Sequence, residues 1–416
     1  MIELGYPKDN LIVLGQSLKI IRTSKNYSVR GVADATNISV ALVSDIENGK
    51  KIANLVTLQS LYQALDIDLL IDETTLNTYF QEMMSFYNAM YHKNWYDINA
   101  IYQKIMQASS RLMNSPLMVE LKLLESTYLG SLEKRFDAAS LEQLTHWYDA
   151  MSVPQKQRCN IIIALSHLVN DTPYDAIRVL KKNLSLNANQ KAHAITLEYL
   201  ARASSMTFQD YNVIKFGAMA SKLHAYNNSV YRKIASDLIL VKGYTSLKDF
   251  DEANTLLSSI DYLIKNDKQY HSFKNQYYLY KAYLESKQAL YDQALETIEN
   301  VSDNSHFVWL TKVYLACKLK ENDTIRILIE SMLKNVNIEP LFFHLAVILD
   351  ALINASSKPI KQSVDYLMNH TEKLYTYDFL KFTYGLLSEL CYQNNDIDGL
   401  HAINKKLLMI EDLRKS

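Results

Sequence analysis

The spacing of hydrophobic residues along the chain predicts helices almost from end to end. Near the N-terminus, Leu14, Leu18 and Ile21 recur at the i, i+4, i+7 spacing of a helix that buries one face. Beyond about residue 74 the same period continues in longer amphipathic segments that are separated by polar breaks. The 416 residues include only 9 Gly and 6 Pro, so few positions interrupt a helix. The pattern therefore predicts an all-α protein.

Polar residues and one glycine divide the N-terminal segment into short helices. Ser28 and Ser39 each precede an apolar stretch, where a hydroxyl group caps a helix N-terminus. Asn37 lies between them, and Asn tolerates the left-handed backbone of a tight turn. Gly49 is the residue type that most often ends a helix. A fourth helix is predicted from a stripe of leucines, which are Leu55, Leu58, Leu61 and Leu65.

Residues 11 to 70 resemble the phage-repressor/Cro (XRE) class of helix-turn-helix domains. The stretch SVRGVADATNISVALVSDIENGK, residues 28 to 50, carries the resemblance. Its small residue Ala33, its turn, its capping Ser39 and its Ile-Glu-Asn-Gly-Lys run fall at the family's spacing. The sequence departs from the family at Val29, where Gln is common. The resemblance implies that the third helix enters the major groove of double-stranded DNA.

The resemblance also implies roles for individual residues of this domain. Arg22 and Glu47 are expected to form an internal ion pair between the first and third helices. The residues expected to face base edges are Ser39, Val40, Ala41, Ser44 and Asp45. The residues expected to contact the DNA backbone are Lys19, Lys25, Arg30, Asn48, Lys50 and Lys51. Val40 and Ala41 cannot donate hydrogen bonds, but they can pack on thymine methyl groups.

A second pattern, an aromatic residue followed by Asp, recurs about every forty residues after residue 90. The clear copies begin at Trp95, Phe136, Tyr174, Phe250 and Tyr291, and weaker copies begin at Gln209, Asn322 and Ile397. A unit without the motif is expected near Lys358 to Asn369. Paired helices at this period indicate a tetratricopeptide-like solenoid, in which each motif starts a second helix. In the clearest unit, Ala282, Ala294, Ile298 and Val301 are expected to be buried between the helices, and eight or nine units fit between residues 74 and 416.

The charge balance limits how the protein can bind DNA. The net charge is −1, and the first 56 residues hold 7 basic and 5 acidic side chains. Because this surplus is small, we expect a homodimer that reads two half-sites. The sequence shows no phosphate loop, metal-binding motif or nucleophile elbow, so we expect neither an enzyme nor a cofactor or metal. Without a signal peptide or a membrane-spanning run, the protein is expected in the cytoplasm and away from membranes.

In its architecture the whole chain resembles the RRNPP family of peptide-pheromone-responsive transcription regulators (Rgg, NprR, PlcR and PrgX regulators). The resemblance implies an N-terminal Cro/repressor-type helix-turn-helix bundle followed by a right-handed tetratricopeptide-like α-solenoid. The implied domains are 1–70 for DNA binding, 71–93 for a linker helix, and 94–416 for the repeats that bind peptide and dimerise. Residues 66–75 are the predicted connector and are expected to set the orientation of the DNA-binding domain. Asp72 or Thr74 is expected to cap the helix that follows.

The family resemblance further implies that a short signalling peptide binds in the concave groove of the repeats and controls quorum-sensing gene expression. First helices of the hairpins line such a groove, and side-chain amides are natural partners for the amides of an extended peptide. The residues expected there are Arg158, Asn160, Glu198, Arg202, Asn275, Gln276 and Tyr283. Two alternatives stay open. One is a ligand-independent dimeric repressor whose repeats serve oligomerisation or protein docking, and the other is a scaffold whose helix-turn-helix no longer reads DNA.

Overall fold

The chain folds into helices throughout the part that the structure describes. This structure is a computed structural model, and it describes residues 8–70, 72–186, 189–302, 305–335, 338–354, 361–370 and 377–415. No β-strand occurs in these ranges. The predicted all-α fold is confirmed.

Four short helices form the N-terminal bundle. They are α1 (Lys8–Ser24), α2 (Val29–Thr36), α3 (Val40–Glu47) and α4 (Leu55–Gln63). The backbone N–H of Gly31 donates to Ser28 Oγ, so that Ser28 caps α2, and Asn37 ends the helix at φ 57°. Gly49 has φ 68° after α3, a conformation that glycine adopts without steric cost. The residues of the two predicted apolar stripes are buried, apart from Ile21 and Leu55, which are half-buried.

The helices after residue 72 form antiparallel pairs, and nine such pairs occur in the described residues. The pairs are α5 (Glu73–His92) with α6 (Trp95–Gln107), α8 (Met118–Tyr128) with α9 (Ala138–Trp147), α10 (Val153–Val169) with α11 (Pro173–Leu184), α12 (Gln190–Met206) with α13 (Asp210–Tyr226), α14 (Val230–Ser246) with α15 (Phe250–Asn266), α16 (Lys274–Lys287) with α17 (Tyr291–Ile298), α18 (His306–Leu319) with α19 (Asn322–Leu333), α20 (Pro340–Asn354) with α21 (Lys361–His370), and α22 (Tyr377–Gln393) with α23 (Ile397–Lys415). A single-turn helix, α7 (Ser109–Leu112), follows the first pair.

The repeat motif stands where the period predicts it. Every copy lies at the start of the second helix of a pair, and the expected unit without the motif is the pair that ends in α21. Ala282, Ala294 and Ile298 are fully buried, and Val301 is 8% exposed, so the four predicted buried positions are confirmed. The solenoid fold follows from this repetition, because one hairpin cannot bury its own apolar face.

The turns within these pairs share a backbone conformation. In seven pairs a residue other than glycine has φ between 54° and 64° and stands two positions before the second helix. These residues are Lys93, Asp171, Phe208, Lys248, Ala289, Lys320 and Asn395. The left-handed residue ends the first helix and reverses the chain. A side chain at such a position costs about 1 kcal/mol relative to glycine.

We expect Ala289→Gly to stabilise the protein by up to about 1 kcal/mol, since Ala289 is exposed and has φ 63°. The matched control is Ala218→Gly, because Ala218 is equally exposed but lies inside α13. Glycine at that position should destabilise by about 0.5–1 kcal/mol. Thermal and urea unfolding of both variants measures the two effects. Shifts of the same sign would contradict the assignment of a strained turn.

The chain divides into two compact units, Met1–Thr196 and Leu197–Ser416. The first unit contains the helix-turn-helix bundle and the first repeats. The second contains the remaining repeats, and one of its apolar clusters runs through α18–α23 and also includes Phe208. The helix-turn-helix bundle therefore belongs to the first unit, and most of the stacked hairpins belong to the second.

Candidate functional site

The N-terminus of α3 presents the residues that a DNA-reading helix needs. Ser39 caps the helix by accepting a hydrogen bond of 3.2 Å from the Leu42 N–H. Val40 is 45% exposed, and Ala41 is exposed beside it, whereas Val43 is buried against the bundle. The helix therefore turns one apolar face into the core and leaves its first turn open to solvent.

The other two residues expected to face base edges, Ser44 and Asp45, are half-buried. Asp45 Oδ2 lies 3.6 Å from Lys51 Nζ, so its charge is partly balanced within the domain. The Asn48 side chain donates to the Ser44 carbonyl at 2.7 Å and thereby covers the end of α3. These contacts orient the polar groups next to the open first turn.

The basic residues expected at the DNA backbone are exposed on this domain, but they have different partners. Lys19 donates to Asn48 Oδ1 at 3.0 Å, which joins α1 to the end of α3. Lys25 donates instead to the Leu65 carbonyl, near the end of α4. Arg30 lies 4.0 Å from Asp34 along α2. Lys50 is exposed, as is the Lys51 side chain at 61%.

The structure brings Arg22 and Glu47 together beneath the recognition helix. Arg22 Nε donates to Glu47 Oε1 at 2.6 Å, and a second guanidinium nitrogen donates to Oε2 at 2.9 Å. A third donates to the Tyr27 carbonyl at 2.8 Å. Arg22 and Glu47 are 7% and 3% exposed. The hydrogen bond from Glu47 raises the pKa of Arg22 against the opposing effect of burial. This pair fixes α1 against α3.

The bundle shares its apolar core with the first repeats, which the sequence did not reveal. Leu14, Leu18 and their neighbours belong to one buried cluster with Met118 and Trp147. The Ser17 hydroxyl lies 3.2 Å from Met118 Sδ, and the Leu70 N–H donates to the Asn114 carbonyl at 2.8 Å. Asp72, one of the two residues predicted to cap this helix, caps α5 by accepting a hydrogen bond of 2.9 Å from the Thr75 N–H. The connector is therefore one of several contacts that hold the bundle.

Two residues expected in the peptide groove, Arg158 and Asn160, belong to polar networks of the first unit. Arg158 pairs with the buried Glu120, and its guanidinium lies 4.6 Å from the ring centroid of Tyr87. Asn160 donates to the Tyr148 hydroxyl at 2.9 Å and to Asn183 Oδ1 at 3.1 Å. Both side chains bind neighbouring helices in the described structure.

Glu198 has a similar place in the second unit. It is 9% exposed, and Arg232 donates to its Oε2 at 2.8 Å while His224 Nε2 lies 3.1 Å away. Burial alone would raise the pKa of Glu198, but the charge of Arg232 and the contacts of His224 lower it to about 2. Arg202, on the same helix, is exposed.

The remaining three expected groove residues lie on α16. Asn275 Oδ1 accepts from the Ser302 N–H at 3.1 Å and from its hydroxyl at 3.0 Å. Gln276 donates to the Tyr280 hydroxyl at 3.3 Å. Tyr283 is half-buried, and its hydroxyl donates to Asp378 Oδ2 at 2.8 Å. Of the seven residues, Tyr283 also lines a cavity.

That cavity, which we call the α16 cavity, lies among first helices of the second unit. Its volume is about 200 Å³. Its lining comes from α14, α16, α18 and α22 and comprises Lys242, Leu279, Tyr280, Tyr283, Ser286, Phe307, Thr311, Tyr314, Asp378 and Phe379. Lys242 and Asp378 are charged residues that sequence reasoning missed. No periodic signal marks them, because they belong to different hairpins and line one cavity only when these hairpins stack together.

Charge is partly neutralised within the cavity wall. Lys287 Nζ lies 2.6 Å from Asp378 Oδ1, whereas the Tyr283 hydroxyl donates to the other carboxylate oxygen. Burial and the nearby Asp378 raise the pKa of Tyr283 well above its usual value. Desolvation lowers the pKa of Lys242 to about 8, although Asp210 acts in the opposite direction. The wall is therefore mostly apolar and aromatic, with one ammonium group whose charge is poorly solvated.

Neither a metal cluster nor a membrane-spanning helix is found in the described residues. They contain no group of three or more His, Cys, Asp or Glu side chains arranged to hold a metal ion. None of their helices is both long and apolar enough to cross a membrane. The three cysteines are free thiols, and Cys159 and Cys391 are buried.

These features define a DNA-binding helix-turn-helix protein with a tetratricopeptide-like solenoid. A family model described as helix-turn-helix (HTH_3) matches residues 18–71. Among curated proteins, none matches the sequence significantly. The N-terminal domain and the regulator class that it indicates are thus supported by sequence as well as by structure.

Solved structures share the fold of the chain. A Rap protein complexed with competence and sporulation factor is 14% identical, with a TM-score of 0.65 over 82% of this chain and 99% of that one. NprR in complex with its cognate peptide NprX is 17% identical, with a TM-score of 0.62 over 83% and 100%. The apo form of the quorum sensor NprR from B. thuringiensis is 16% identical, with a TM-score of 0.59 over 80% and 99%. The predicted helix-turn-helix domain is confirmed by the family model, and the predicted helical-repeat fold is shared with these solved structures.

Proposed function

We propose that the protein is a cytoplasmic transcription regulator that binds operator DNA as a homodimer under the control of a short signalling peptide. The recognition helix α3 reads base edges with Ser39, Val40, Ala41, Ser44 and Asp45, and the surrounding basic residues contact phosphates. The peptide binds in the groove formed by first helices of the repeats. The protein acts by binding and carries out no catalysis.

One observation supports this function above the others. The exposed apolar first turn of α3, with Val40 45% exposed, lies on the same chain as a solenoid whose fold is shared with NprR in complex with its cognate peptide. An exposed valine next to an exposed alanine at the N-terminus of this helix can pack on thymine methyl groups in the major groove. That solenoid also contains the α16 cavity, whose walls come from several hairpins.

Control by peptide follows from linkage between the two binding events. A peptide that binds two arrangements of the dimer with different affinity shifts their populations by that difference in free energy. If the arrangements differ in the spacing of the two α3 helices, operator affinity changes as well. The small basic surplus of the domain makes this spacing important, because one domain alone gains little electrostatic affinity.

Ala41→Asp should weaken operator binding by about a hundredfold, because it places a negative charge at the base edges and prevents packing on thymine methyls. Operator DNA is obtained by selection from a random double-stranded pool, and affinity is measured by fluorescence anisotropy at fixed salt. The matched control is Ala35→Asp, which adds the same charge at an exposed position of α2. Equal losses in both variants would indicate a general charge effect and contradict base reading by α3.

Peptide control is tested with synthetic peptides copied from short reading frames beside the gene. A regulating peptide should raise the melting temperature of the full-length protein and change operator affinity. Firm operator binding that no such peptide changes would favour the ligand-independent dimeric repressor. Failure to select any DNA sequence would instead favour a scaffold with an inactive helix-turn-helix.

A further inference from the structure

The α16 cavity has the size and lining of a pocket for one bulky apolar side chain. Its volume of about 200 Å³ exceeds the roughly 150 Å³ of an engineered cavity that binds benzene. Leu279, Phe307 and Phe379 supply apolar walls from three different helices. A leucine or phenylalanine side chain therefore fits, whereas an alanine side chain would leave most of the space empty.

The charged groups of the wall favour an anion over a cation. Asp378 already accepts from Tyr283 at 2.8 Å and lies 2.6 Å from Lys287 Nζ, so its charge is compensated. Lys242 interacts electrostatically with Asp210, yet desolvation still dominates and lowers its pKa to about 8. An ammonium group has three donors, so Lys242 can bind a carboxylate while it keeps its interaction with Asp210. A carboxylate beside the ammonium group would offset the cost of burying its charge.

We propose that the α16 cavity binds the C-terminal residue of the signalling peptide, with a bulky apolar side chain inside the cavity and the terminal carboxylate on Lys242. This assignment rests on the proposed function and adds the chemistry of one peptide position to it. Tyr283 and Lys287 already bind the two oxygens of the Asp378 carboxylate, which reduces its repulsion of a ligand carboxylate. Peptides that end in an apolar residue with a free carboxylate are therefore selected.

The test uses the full-length protein and two small probes, N-acetyl-L-phenylalanine and its C-terminal amide, titrated by saturation-transfer NMR. The probes share the side chain and differ only in the terminal charge. We expect the acid to bind at least about tenfold more tightly than the amide, as a charge-assisted hydrogen bond would give. A third probe, N-acetyl-L-alanine, should bind more weakly than either. Equal affinity for the acid and the amide would overturn the assignment.

Two substitutions locate the binding. Lys242→Gln should abolish the preference for the acid and leave binding of the amide unchanged. Lys281→Gln is the control, because Lys281 lies on α16, is 40% exposed at its side chain and does not line the cavity. A preference for the acid that survives in Lys242→Gln would exclude Lys242 as the carboxylate partner. Thr311→Leu should fill the cavity and weaken both probes, provided that its circular dichroism spectrum matches that of the parent protein.

This test separates the cavity assignment from peptide control of DNA binding. Selective binding of the acid through Lys242 supports the cavity assignment even if no peptide changes operator affinity. Indiscriminate binding overturns the assignment even if a peptide does change operator affinity. The two proposals therefore fail on different measurements.

Discussion

Arg22→Met should destabilise the helix-turn-helix bundle by about 3–5 kcal/mol, because it leaves Glu47 charged, buried and without its cation. Glu47 is 3% exposed and accepts two hydrogen bonds from Arg22, at 2.6 and 2.9 Å. The Tyr27 carbonyl also loses its donor. Hydrogen exchange of the α1 and α3 amides measures the effect, and their protection should fall by about a hundredfold or more.

The control for this experiment is Arg30→Met on α2. Arg30 and Asp34 form an ion pair at 4.0 Å with side chains that are 84% and 74% exposed, so its loss should cost less than about 1 kcal/mol. A second variant, Arg22→Met with Glu47→Leu, removes both charges and should recover much of the lost stability. A double variant no more stable than Arg22→Met would show that packing of the arginine, and not an uncompensated charge, is the main contribution.

Local signals explain why the helix-turn-helix was predictable in detail. Ser28, Asn37, Ser39 and Gly49 each satisfy a backbone requirement within four residues of themselves, through a cap or a left-handed turn. Such requirements depend on residue type and sequence position and little on the rest of the molecule. The repeat was predictable for a similar reason, since every copy of the motif begins a second helix.

The polar contacts of the repeats could not be predicted in the same way. The partners Tyr283 and Asp378 are 95 residues apart, and Glu198 and Arg232 are 34 apart. Whether such residues meet depends on the small rotation between successive hairpins, which accumulates along the solenoid and leaves no periodic trace. Arg158, Asn160 and Glu198, three of the predicted groove residues, bind neighbouring helices in the structure. Hydrophobic pattern alone does not separate an open polar face from a buried network.

The contact between the bundle and the first repeats was hidden for a related reason. Met118 and Trp147 belong to apolar stripes that any repeat would carry, and nothing in their spacing shows that they pack on the helix-turn-helix. Residues 66–75 are therefore not the sole attachment of the bundle in the described structure, because core packing and the Ser17 contact with Met118 also hold α1. Reorientation of the bundle would have to break these contacts.

In the second unit, Arg232→Met should destabilise the fold by about 3–5 kcal/mol at neutral pH, because Glu198 is buried and would lose its arginine partner. Hydrogen exchange of the α12 and α14 amides measures this loss. The control is Arg326→Met, since Arg326 and Asp323 have side chains that are 49% and 95% exposed, and removal of that pair should cost less than about 1 kcal/mol.

The pH dependence of this variant separates an uncompensated charge from lost packing. In the parent protein the pKa of Glu198 is lowered from 4.5 to about 2, so its contribution to stability is complete above about pH 4.5 and is lost as the pH falls toward 2. Without Arg232, burial raises the pKa, and Glu198 takes up a proton at a higher pH than in the parent protein. The stability difference between parent and variant should therefore shrink as the pH falls below neutral. A difference that stays constant between pH 7 and pH 4 would assign the loss to packing of the arginine side chain.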